Sequence, residues 1–413
     1  MKNLKSIIDK QLPREIALFL HVAGKAAEDD GEKIYLVGGT VRDLLLKRPS
    51  LDIDLALEGN AVRFAKRITE ETGEKLAVHQ RFGTATFRQG EYIIDIAMAR
   101  RESYTHAGAL PIVKSAKIKD DMGRRDFSVN AMAVDLSPDT FGELLDYHGG
   151  AGDIEKKLIR VLHKRSFIDD ATRIFRAIRY EQRLEFSIEG GTERLLRRNV
   201  AMINTISGDR LRNEIELMLK EESPENSLAR ADEMGVLRQI NRSLKSSKWL
   251  AQRFQEVRRH YIADPAVYFA ILCHDLGRDD AEAVSERLNL SGEWRRIVLG
   301  VARINEDIYK LADPAIQPSA VYRYLKRYPV EVASACFLSN DSRIVRGQIE
   351  RYLKELQYVR IRLDGNELRE MGVEPGPRMG RLLKALQDAQ LDGLAGTREE
   401  EETFVRYWLQ THK

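Results

Sequence analysis

The fold is decided by residues 35–57, which read YLVGGTVRDLLLKRPSLDIDLAL. This pattern predicts a short apolar strand, a glycine turn, a short helix and a second strand that carries Asp52 and Asp54. Side chains two positions apart on a strand point to the same face of the sheet. We therefore expect the two carboxylates to lie on one face.

The glycine pair, Gly38 and Gly39, predicts a tight turn that lets a ligand approach the backbone closely. Thr40 is expected to cap the helix that follows, and the N-terminus of that helix can hold an anion. Two carboxylates beside such a turn suit Mg²⁺, which prefers hard oxygen ligands together with substrate phosphates. The stretch therefore predicts metal-assisted phosphoryl or nucleotidyl transfer.

Length and composition predict a soluble protein of several domains. The chain has 413 residues, of which 32% are charged and 43% apolar, and a net charge of +3. This length favours two to four domains. No run of about 18 apolar residues occurs, so no membrane span is expected. The two cysteines, Cys273 and Cys336, give no disulfide framework, and the cytoplasm is the expected location.

A third acidic residue follows on the predicted sheet. Residues 76–98 are expected to form two strands, and Asp95 lies in the second among isoleucines. A carboxylate there is costly unless it is paired or bound to a metal ion. If this strand lies beside the first acidic strand, Asp95 is a candidate third metal ligand; the alternative is a hydrogen bond to a neighbouring loop. Residues 100–120 then read as a long polar connection, with His106 as a lone loop histidine.

A second polar motif, GRRDFSVNAMA, occupies residues 123–133. Arg125 can clamp a phosphate with two parallel hydrogen bonds. Asp126 and Asn130 can bind sugar hydroxyls or stabilise the turn. Surface salt bridges are an equally good interpretation of this motif taken alone. The turn-rich segment 146–153, DYHGGAGD, predicts the end of the first domain.

From Ile154 onward the pattern is almost wholly helical. Arg173, Arg176 and Arg179 recur at three-residue steps, which predicts one stripe on a helix, and Asp170 precedes that stripe. One interpretation is a solvated charged face. The other is a polyanion-binding surface with few acidic partners, on which Asp170 and Arg173 together read the edge of a base.

Three later segments have simpler interpretations. Residues 209–219 predict a helix that supports the arginine stripe. Cys273, His274 and Asp275 include a His-Asp pair, but no second metal-type cluster lies near it in sequence, so scaffold is expected there. Residues 363–386 predict two short helices joined at a glycine, which can grip a backbone phosphate or simply pack.

Taken together, four motifs in this order resemble those of the class II tRNA nucleotidyltransferase and bacterial poly(A) polymerase family, of the polymerase-β-like superfamily. They lie at residues 35–57, 124–133, 146–153 and 169–179. The resemblance implies an α+β fold, in which a nucleotidyltransferase head with a small mixed sheet is followed by an all-α neck, body and tail. The implied parts are a catalytic head (1–150), a nucleotide-selecting neck (151–220), a body (221–345) and a tRNA-binding tail (346–413).

The resemblance also implies roles for individual residues. Its implied Mg²⁺ ligands and catalytic residues are Asp52, Asp54 and Asp95. Contacts to the nucleotide triphosphate and ribose would come from the glycine turn and from Gly39, Arg42, Arg125, Asp126 and Asn130. The Watson–Crick edge of the incoming C or A would meet Asp170 and Arg173, with support from Arg176 and Arg179. One position departs from the family, which has Glu where this chain has Asp169. The loop after Asp95 has nearly full length but lacks the usual charged pattern.

The expected activity is therefore template-independent addition of C, A or both from CTP and ATP to the 3′ end of the tRNA acceptor arm. Enzymes that add only CC or only A, and poly(A) polymerases, share these motifs and remain alternatives. A non-catalytic RNA-binding protein and a small-molecule nucleotidyltransferase are rivals of other kinds. The paired aspartates argue against the binding protein, because they would repel RNA phosphates. The long helical region argues against the small-molecule enzyme.

Overall fold

The computed structural model describes residues 2–48, 50–80, 83–103, 112–259 and 264–412. The chain divides into two compact units, Met1–Gln239 and Ile240–Lys413. The first unit contains the described strands and the predicted site residues, and the second is built from helices. The finer boundaries expected at residues 150, 220 and 345 remain predictions.

The first unit is organised around a mixed sheet. Its described strands are β1 (Ile34–Val37), β2 (Asp52–Leu57), β3 (Ala77–His79), β4 (Thr84–Gln89), β5 (Tyr92–Met98), β6 (Arg100–Ser103), β7 (Ile112–Ser115), β8 (Ala133–Asp135), β9 (Leu144–Leu145), β10 (Leu158–Ile159) and β11 (Ser187–Ile188). Seven of them form one sheet in the order β3-β4-β5-β2-β1-β8-β9. Strands β2 and β5 run parallel and the other neighbours run antiparallel, which confirms the predicted mixed sheet.

Helices pack against this sheet and then continue beyond it. Those of the first unit are α1 (Lys5–Gln11), α2 (Arg14–Asp29), α3 (Gly39–Leu46), α4 (Ala61–Thr72), α5 (Ile118–Gly123), α6 (Gly150–Glu155), α7 (Ser166–Asp169), α8 (Thr172–Leu184), α9 (Gly190–Asn199), α10 (Gly208–Leu219), α11 (Pro224–Glu233) and α12 (Val236–Ile240), which reaches the division between the units. Helices α2, α3 and α4 contact the sheet strands directly. The helical character predicted after Ile154 is confirmed.

The centre of the sheet carries the stretch from which the fold was predicted. Strand β1 is apolar and fully buried between β2 and β8. The chain turns at Gly38, forms α3 and returns as β2, which confirms the predicted order of strand, turn, helix and strand. At the start of β2, Asp52 is exposed, Ile53 is buried and Asp54 is half-buried. This alternation puts the two carboxylates on the face opposite to Ile53.

Two segments fold differently from expectation. Residues 76–98 form three strands rather than two, because Gly83 adopts a positive φ of 59° and β3 folds back against β4. Residues 100–120, predicted as a polar connection, contain the antiparallel ribbon of β6 and β7 and the start of α5. The predicted loop histidine, His106, lies in residues 104–111, which are outside the described part of the chain.

The second unit is helical. Its described helices are α13 (Lys248–Arg259), α14 (Pro265–Leu272), α15 (Arg278–Arg287), α16 (Gly292–Glu306), α17 (Pro318–Leu325), α18 (Val330–Ser339), α19 (Arg343–Lys354), α20 (Gly365–Glu370), α21 (Pro377–Leu391) and α22 (Arg398–Thr411). Helix α14 is apolar and buried from Ala266 to Leu272, because α13, α16 and α18 pack around it. Within the described ranges, no helix is long and apolar enough to cross a membrane.

Candidate active site

Three acidic side chains lie on neighbouring strands of the sheet. Strands β2 and β5 pair in parallel with Asp54 directly opposite Asp95, and Asp52 lies two residues earlier on β2. Directly opposed residues share a face of the sheet, so Asp95 lies on the same face as the two carboxylates of β2. The predicted proximity of Asp95 to the acidic strand is confirmed. Its role as a metal ligand remains a prediction.

The electrostatics of this row favour a cation. Burial raises the pKa of the Asp54 carboxyl, and the nearby charges of Asp95 and Asp52 raise it further, while Arg125 and Arg42 act in the opposite direction. Among the described residues, no group of three His, Cys, Asp or Glu side chains comes close enough together to hold a metal ion. Two carboxylates on one face are nevertheless sufficient protein ligands for Mg²⁺, which characteristically takes one or two of them together with water and phosphate oxygens.

Thr40 has a different position from the one expected. Gly38, and not Thr40, occupies the N-cap of α3, and no side chain caps this helix. The Thr40 hydroxyl instead donates a hydrogen bond to the Asp52 carbonyl (3.2 Å) and accepts one from the Asp54 backbone N–H (3.0 Å). The prediction of a Thr40 cap was wrong because the backbone of β2 competes for the same hydroxyl.

The turn at Gly38 leaves no room for a side chain. Gly38 has φ +69°, and a Cβ atom there would lie 2.4 Å from Nη1 of Arg125. We expect Gly38→Ala to displace the Arg125 guanidinium and to raise the KM for the nucleotide about tenfold, because a charge-assisted contact contributes about 1.5 kcal/mol. The backbone of Gly38, with φ 69° and ψ −129°, should also cost a non-glycine residue about 1–3 kcal/mol of unfolding free energy. Steady-state kinetics and denaturant unfolding measure the two effects.

Gly73 offers the matched control for this substitution. It has φ +72° at the C-cap of α4, and a Cβ atom there would meet nothing within 4 Å. Gly73 is in the left-handed α region with ψ 13°, so Gly73→Ala should lose about 1 kcal/mol of stability and keep the nucleotide KM of the wild type. Equal KM values for both variants would show that Gly38 serves the backbone turn alone.

A hydrogen-bonded chain links α3 to α8 through buried Asp126. Arg42 donates to Asn130 Oδ1 (2.6 Å), and Asn130 donates to Asp126 Oδ1 (3.1 Å). Arg176 donates to Asp126 Oδ2 through Nε (2.8 Å) and Nη2 (2.5 Å). Burial alone would raise the pKa of Asp126, but Arg176 and Asn130 together hold it below its usual value. Four predicted nucleotide-binding residues therefore form one connected network.

Arg125 is held by an acidic residue that sequence reasoning missed. Arg125 pairs with Asp121 through Nη2 (3.1 Å), and Arg124 pairs with the other oxygen of the same carboxylate (2.8 Å). Asp121 is almost fully buried, yet the two arginines overcome the effect of burial and lower its pKa. Its position four residues before Arg125, at the end of a helix, is the sequence signal that could have identified it.

The arginine stripe is neither a solvated face nor free of acidic partners. Arg173 and Arg179 are buried, which excludes the first of the two interpretations, a solvated charged face. Arg173 donates to Ser166 Oγ (2.8 Å) and to the Arg124 carbonyl (2.6 Å). Arg176 pairs with Asp126, so the expectation of few acidic partners was also wrong. Partners from distant elements cannot be read from the local spacing of the arginines.

Asp170 lies at a break between helices. Helix α7 ends at Asp169 and α8 begins at Thr172, so Asp170 precedes the helix that carries the arginine stripe. Asp170 Oδ1 accepts hydrogen bonds from the Thr172 N–H (3.0 Å) and hydroxyl (2.7 Å), and from Arg210 (2.7 Å). All three hydrogen bonds end on Oδ1, and Oδ2 takes part in none of them.

Helix α10 supports the arginines, as predicted. Arg210 pairs with Asp170, and Glu214 Oε2 lies 3.7 Å from Arg179 Nη2. Burial lowers the pKa of Arg179 and raises the pKa of Glu214, because it disfavours the charged form of both side chains. Arg179 Nε and Glu214 Oε2 are buried without a hydrogen-bond partner among the described residues.

These side chains surround a cleft of about 490 Å³. The predicted residues on its wall are Gly39, Arg42, Asp54, Arg125, Asp126, Asn130, Asp170, Arg173 and Arg176. Four other predicted residues lie outside this lining. Gly38 lies beside the Arg125 guanidinium, and Asp52 and Asp95 lie next to Asp54 on the sheet. Arg179 pairs with Glu214 of α10. The structure therefore brings most of the predicted site residues to one cavity.

Tyr180 is the main residue of the cleft that sequence reasoning missed. Its ring lies 5.3 Å from the Arg42 guanidinium, 5.5 Å from that of Arg176 and 5.8 Å from that of Arg179. Cation–π contacts of this kind hold guanidinium groups in place at about 0.5–2 kcal/mol each. Its spacing of four residues from Arg176 on α8 is the signal that could have identified it. Glu102 and Thr172 also line the cleft without having been predicted.

A larger cavity, of about 710 Å³, lies in the second unit beside His274 and Asp275. His274 stacks on Trp249 with 4.1 Å between ring centroids, and its nitrogens contact the Ile271 carbonyl (2.9 Å) and Asp275 (3.0 Å). Both ring nitrogens are thus engaged locally. This arrangement agrees with the expectation of scaffold at this motif.

Two family models match the chain. The Poly A polymerase head domain matches residues 34–160, and the probable RNA and SrmB-binding site of polymerase A matches residues 185–248. The first match covers the sheet with its acidic row and part of the arginine network. The second begins after α8 and includes α9 and α10.

Curated relatives and solved structures are similar over almost the whole chain. An A-adding tRNA nucleotidyltransferase of Halalkalibacterium halodurans is 30% identical over 100% of this chain and 96% of its own. One of Geobacter sulfurreducens is 33% identical over 97% of this chain, which spans only 48% of that relative's length. The Thermotoga maritima CCA-adding enzyme complexed with tRNA is similar with a TM-score of 0.78, at 30% identity over 99% of both chains.

Proposed function

Since this chain belongs to the tRNA nucleotidyltransferase family that carries the poly A polymerase head domain, we propose that it adds C, A or both to the 3′ end of tRNA without a nucleic-acid template. The tRNA 3′ hydroxyl attacks the α-phosphate of CTP or ATP, a new P–O bond forms, and pyrophosphate leaves. The expected location is the cytoplasm, where tRNA is processed.

One observation carries this proposal: the acidic row on β2 and β5 borders a cleft lined by arginines. Asp54 lines the cleft itself, and its opposing neighbour Asp95 shares its face of the sheet. A carboxylate pair needs a cation before it can lie beside phosphates, whereas arginines attract phosphates directly. The combination fits a nucleoside triphosphate bound with a divalent metal ion.

The proposed ligands of Mg²⁺ are Asp52, Asp54 and Asp95. When bound, the ion neutralises phosphate charge and orients the attacking hydroxyl. The chain's own contribution is to keep the three carboxylates on one face and to hold Arg125 next to the glycine turn. We assign Arg42 and Arg125 to the triphosphate, and Gly39 to a close backbone approach.

We assign the choice of base to the break between α7 and α8. Asp170 keeps one carboxylate oxygen outside its internal bonds, and a carboxylate accepts from the amino groups of C and A. Arg173 lines the cleft and is oriented by Ser166 and the Arg124 carbonyl, and these two bonds use two of its five N–H donors. Asp126 and Asn130 are the proposed neighbours of the ribose.

Incorporation assays separate the possible products. The protein is incubated with tRNA lacking its 3′ CCA, tRNA ending in C and tRNA ending in CC, each with CTP, ATP or both. If only the acceptor that ends in CC is extended, and only with A, the protein is an A-adding enzyme. The similarity to the A-adding relatives of Halalkalibacterium and Geobacter makes this the favoured specific activity. Long A tracts on unrelated RNA would identify a poly(A) polymerase and refute the tRNA proposal.

The same assay tests the non-catalytic alternative. A binding protein would retain tRNA in a filter assay and incorporate neither nucleotide. A small-molecule nucleotidyltransferase would show no salt-dependent affinity for tRNA, whereas binding through phosphates weakens steeply as salt rises. Nucleotide addition together with salt-sensitive tRNA binding is the expected result.

Arg173 gives a sharper prediction about base choice. We expect Arg173→Lys to reduce discrimination between CTP and ATP about tenfold or more, because a bidentate contact to a base edge contributes about 1–3 kcal/mol of discrimination. The ratio of kcat/KM for the two nucleotides on each acceptor measures this effect. A uniform loss with both nucleotides would instead place Arg173 in the general support of the cleft.

A further inference from the structure

Thr40 completes the backbone pairing of the acidic strand. Strand β1 pairs with β2 only from Leu55 to Leu57, because the chain leaves β1 at the Gly38 turn. Beyond that point, the Thr40 hydroxyl bonds to the Asp52 carbonyl and to the Asp54 N–H. Backbone groups of residues two apart point to the same side of a strand. The threonine side chain thus replaces a missing strand neighbour at the two acidic residues.

Thr86 holds the third carboxylate from the opposite side. Thr86 on β4 lies opposite Asp95 on β5, which in turn lies opposite Asp54 on β2. These three side chains form one row across the sheet. The Thr86 hydroxyl donates a hydrogen bond to Asp95 Oδ1, which leaves Oδ2 of that carboxylate outside the bond.

The two hydroxyls act on different parts of the acidic row. Thr40 is 3% exposed and fixes the backbone that bears Asp52 and Asp54. Thr86 fixes the side chain of Asp95. Carboxylates that lie this close repel one another, so each would otherwise turn away from its neighbours. Hydrogen-bond partners that orient ligating groups typically raise metal affinity 10- to 100-fold.

We propose that Thr40 and Thr86 are positioning residues that keep Asp52, Asp54 and Asp95 on one face of the sheet, from which they supply oxygen ligands to a divalent cation. This inference rests on the proposed function, because it takes the three carboxylates as metal ligands. It adds two residues whose hydroxyls act through the acidic strand and the Asp95 carboxylate.

Mn²⁺ binding to the full-length protein, followed by electron paramagnetic resonance without nucleotide or tRNA, tests the proposal directly. Thr40→Val and Thr86→Val keep the branched shape and remove the hydroxyl, and each should weaken Mn²⁺ binding at least tenfold. Thr40→Ser and Thr86→Ser keep the hydroxyl and should bind Mn²⁺ within about threefold of the wild type. Rescue by serine separates hydrogen bonding from packing.

Two control variants lose a threonine hydroxyl elsewhere in the same unit. Thr69 on α4 bonds to the Ala65 carbonyl (2.9 Å), and Thr84 on β4 lies opposite Ala97 instead of a carboxylate. Thr69→Val and Thr84→Val should bind Mn²⁺ as the wild type does. Thermal unfolding of all variants identifies any that do not fold. If Thr40→Val is among them, Mn²⁺ binding by Thr86→Val and by the two serine variants still tests the proposal.

Wild-type Mn²⁺ affinity in both valine variants would overturn the proposal, and so would a wild-type protein that binds no Mn²⁺. Equal losses in the valine and serine variants would also overturn it. A protein whose Mn²⁺ binding depends on the two hydroxyls, but which adds no nucleotide to tRNA, would refute the proposed function and support the threonine assignment.

Discussion

Asp54→Asn is expected to reduce nucleotide addition to tRNA by about a thousandfold or more. Asp54 is the acidic residue that both lines the cleft and faces Asp95 across the ladder. An amide keeps the shape and one oxygen but removes the charge that the metal ion requires. Stabilisation by a metal ion contributes several kcal/mol to the transition state, and each 1.36 kcal/mol corresponds to about tenfold in rate. Single-turnover incorporation with saturating CTP or ATP measures the loss.

The same substitution should leave stability unchanged or higher. Burial and neighbouring carboxylates raise the pKa of Asp54, so its charged form is disfavoured in the folded protein at neutral pH. Removing that charge removes the penalty. Denaturant unfolding of Asp54→Asn should therefore give a midpoint at or above that of the wild type. A variant that retains wild-type activity would refute catalysis by the acidic row.

Asp135 provides the control for this experiment. It is a buried carboxylate on β8 of the same sheet, and its Oδ1 accepts a hydrogen bond from the Ser137 N–H (2.8 Å). Strand β1 separates β8 from the acidic strand β2. An asparagine there retains the acceptor oxygen, so Asp135→Asn should keep the incorporation rate of the wild type.

The acidic row was predictable because its signals are local. The spacing of Asp52 and Asp54 fixed a common face, and the cost of burying Asp95 among isoleucines indicated a functional neighbour. The parallel pairing of β2 with β5 confirms that Asp95 lies beside the acidic strand, and its metal-binding role stays a prediction. The Thr40 prediction failed because it depends on a distant strand. A hydroxyl near the start of α3 can bond either to the helix or to the backbone of β2, and only the fold shows that β2 lacks a strand neighbour there.

The arginine network could not be predicted from spacing. Arg176 pairs with Asp126, which lies 50 residues earlier in the chain, and Arg179 faces Glu214 on another helix. Periodicity identifies which side chains share a helix face, but not which element packs against that face. Tyr180 was missed because its contacts with Arg42 and Arg176 depend on the approach of α3 to α8. The family resemblance assigned these arginines to nucleotide binding, which stays a prediction, and it named none of these partners.

Arg176→Met is expected to lower the free energy of unfolding by about 3 kcal/mol, because it leaves Asp126 buried without its cationic partner. Breaking a buried ion pair from one side costs about 3–5 kcal/mol. The lower end applies because 34% of the Arg176 side chain is exposed, against 8% for Asp126. Denaturant unfolding at neutral pH measures the loss. Adding Asp126→Asn to the variant should recover most of it, because the unpaired charge is then removed.

The pH dependence of this loss distinguishes charge from packing. Arg176 and Asn130 lower the pKa of Asp126, so the stability that the ionised carboxylate contributes is present above its unfolded pKa of about 4 and is lost as pH falls through the lower folded value. Without Arg176, burial raises the pKa of Asp126, so the difference between wild type and Arg176→Met should be largest at neutral pH and shrink as pH falls towards the lowered pKa of the wild type. Arg183→Met on the same helix is the control: Arg183 pairs with Glu221 but is 45% exposed, and its loss should cost at most about 1 kcal/mol. A pH-independent deficit in Arg176→Met would assign the arginine to packing against Tyr180 instead of to the charge of Asp126.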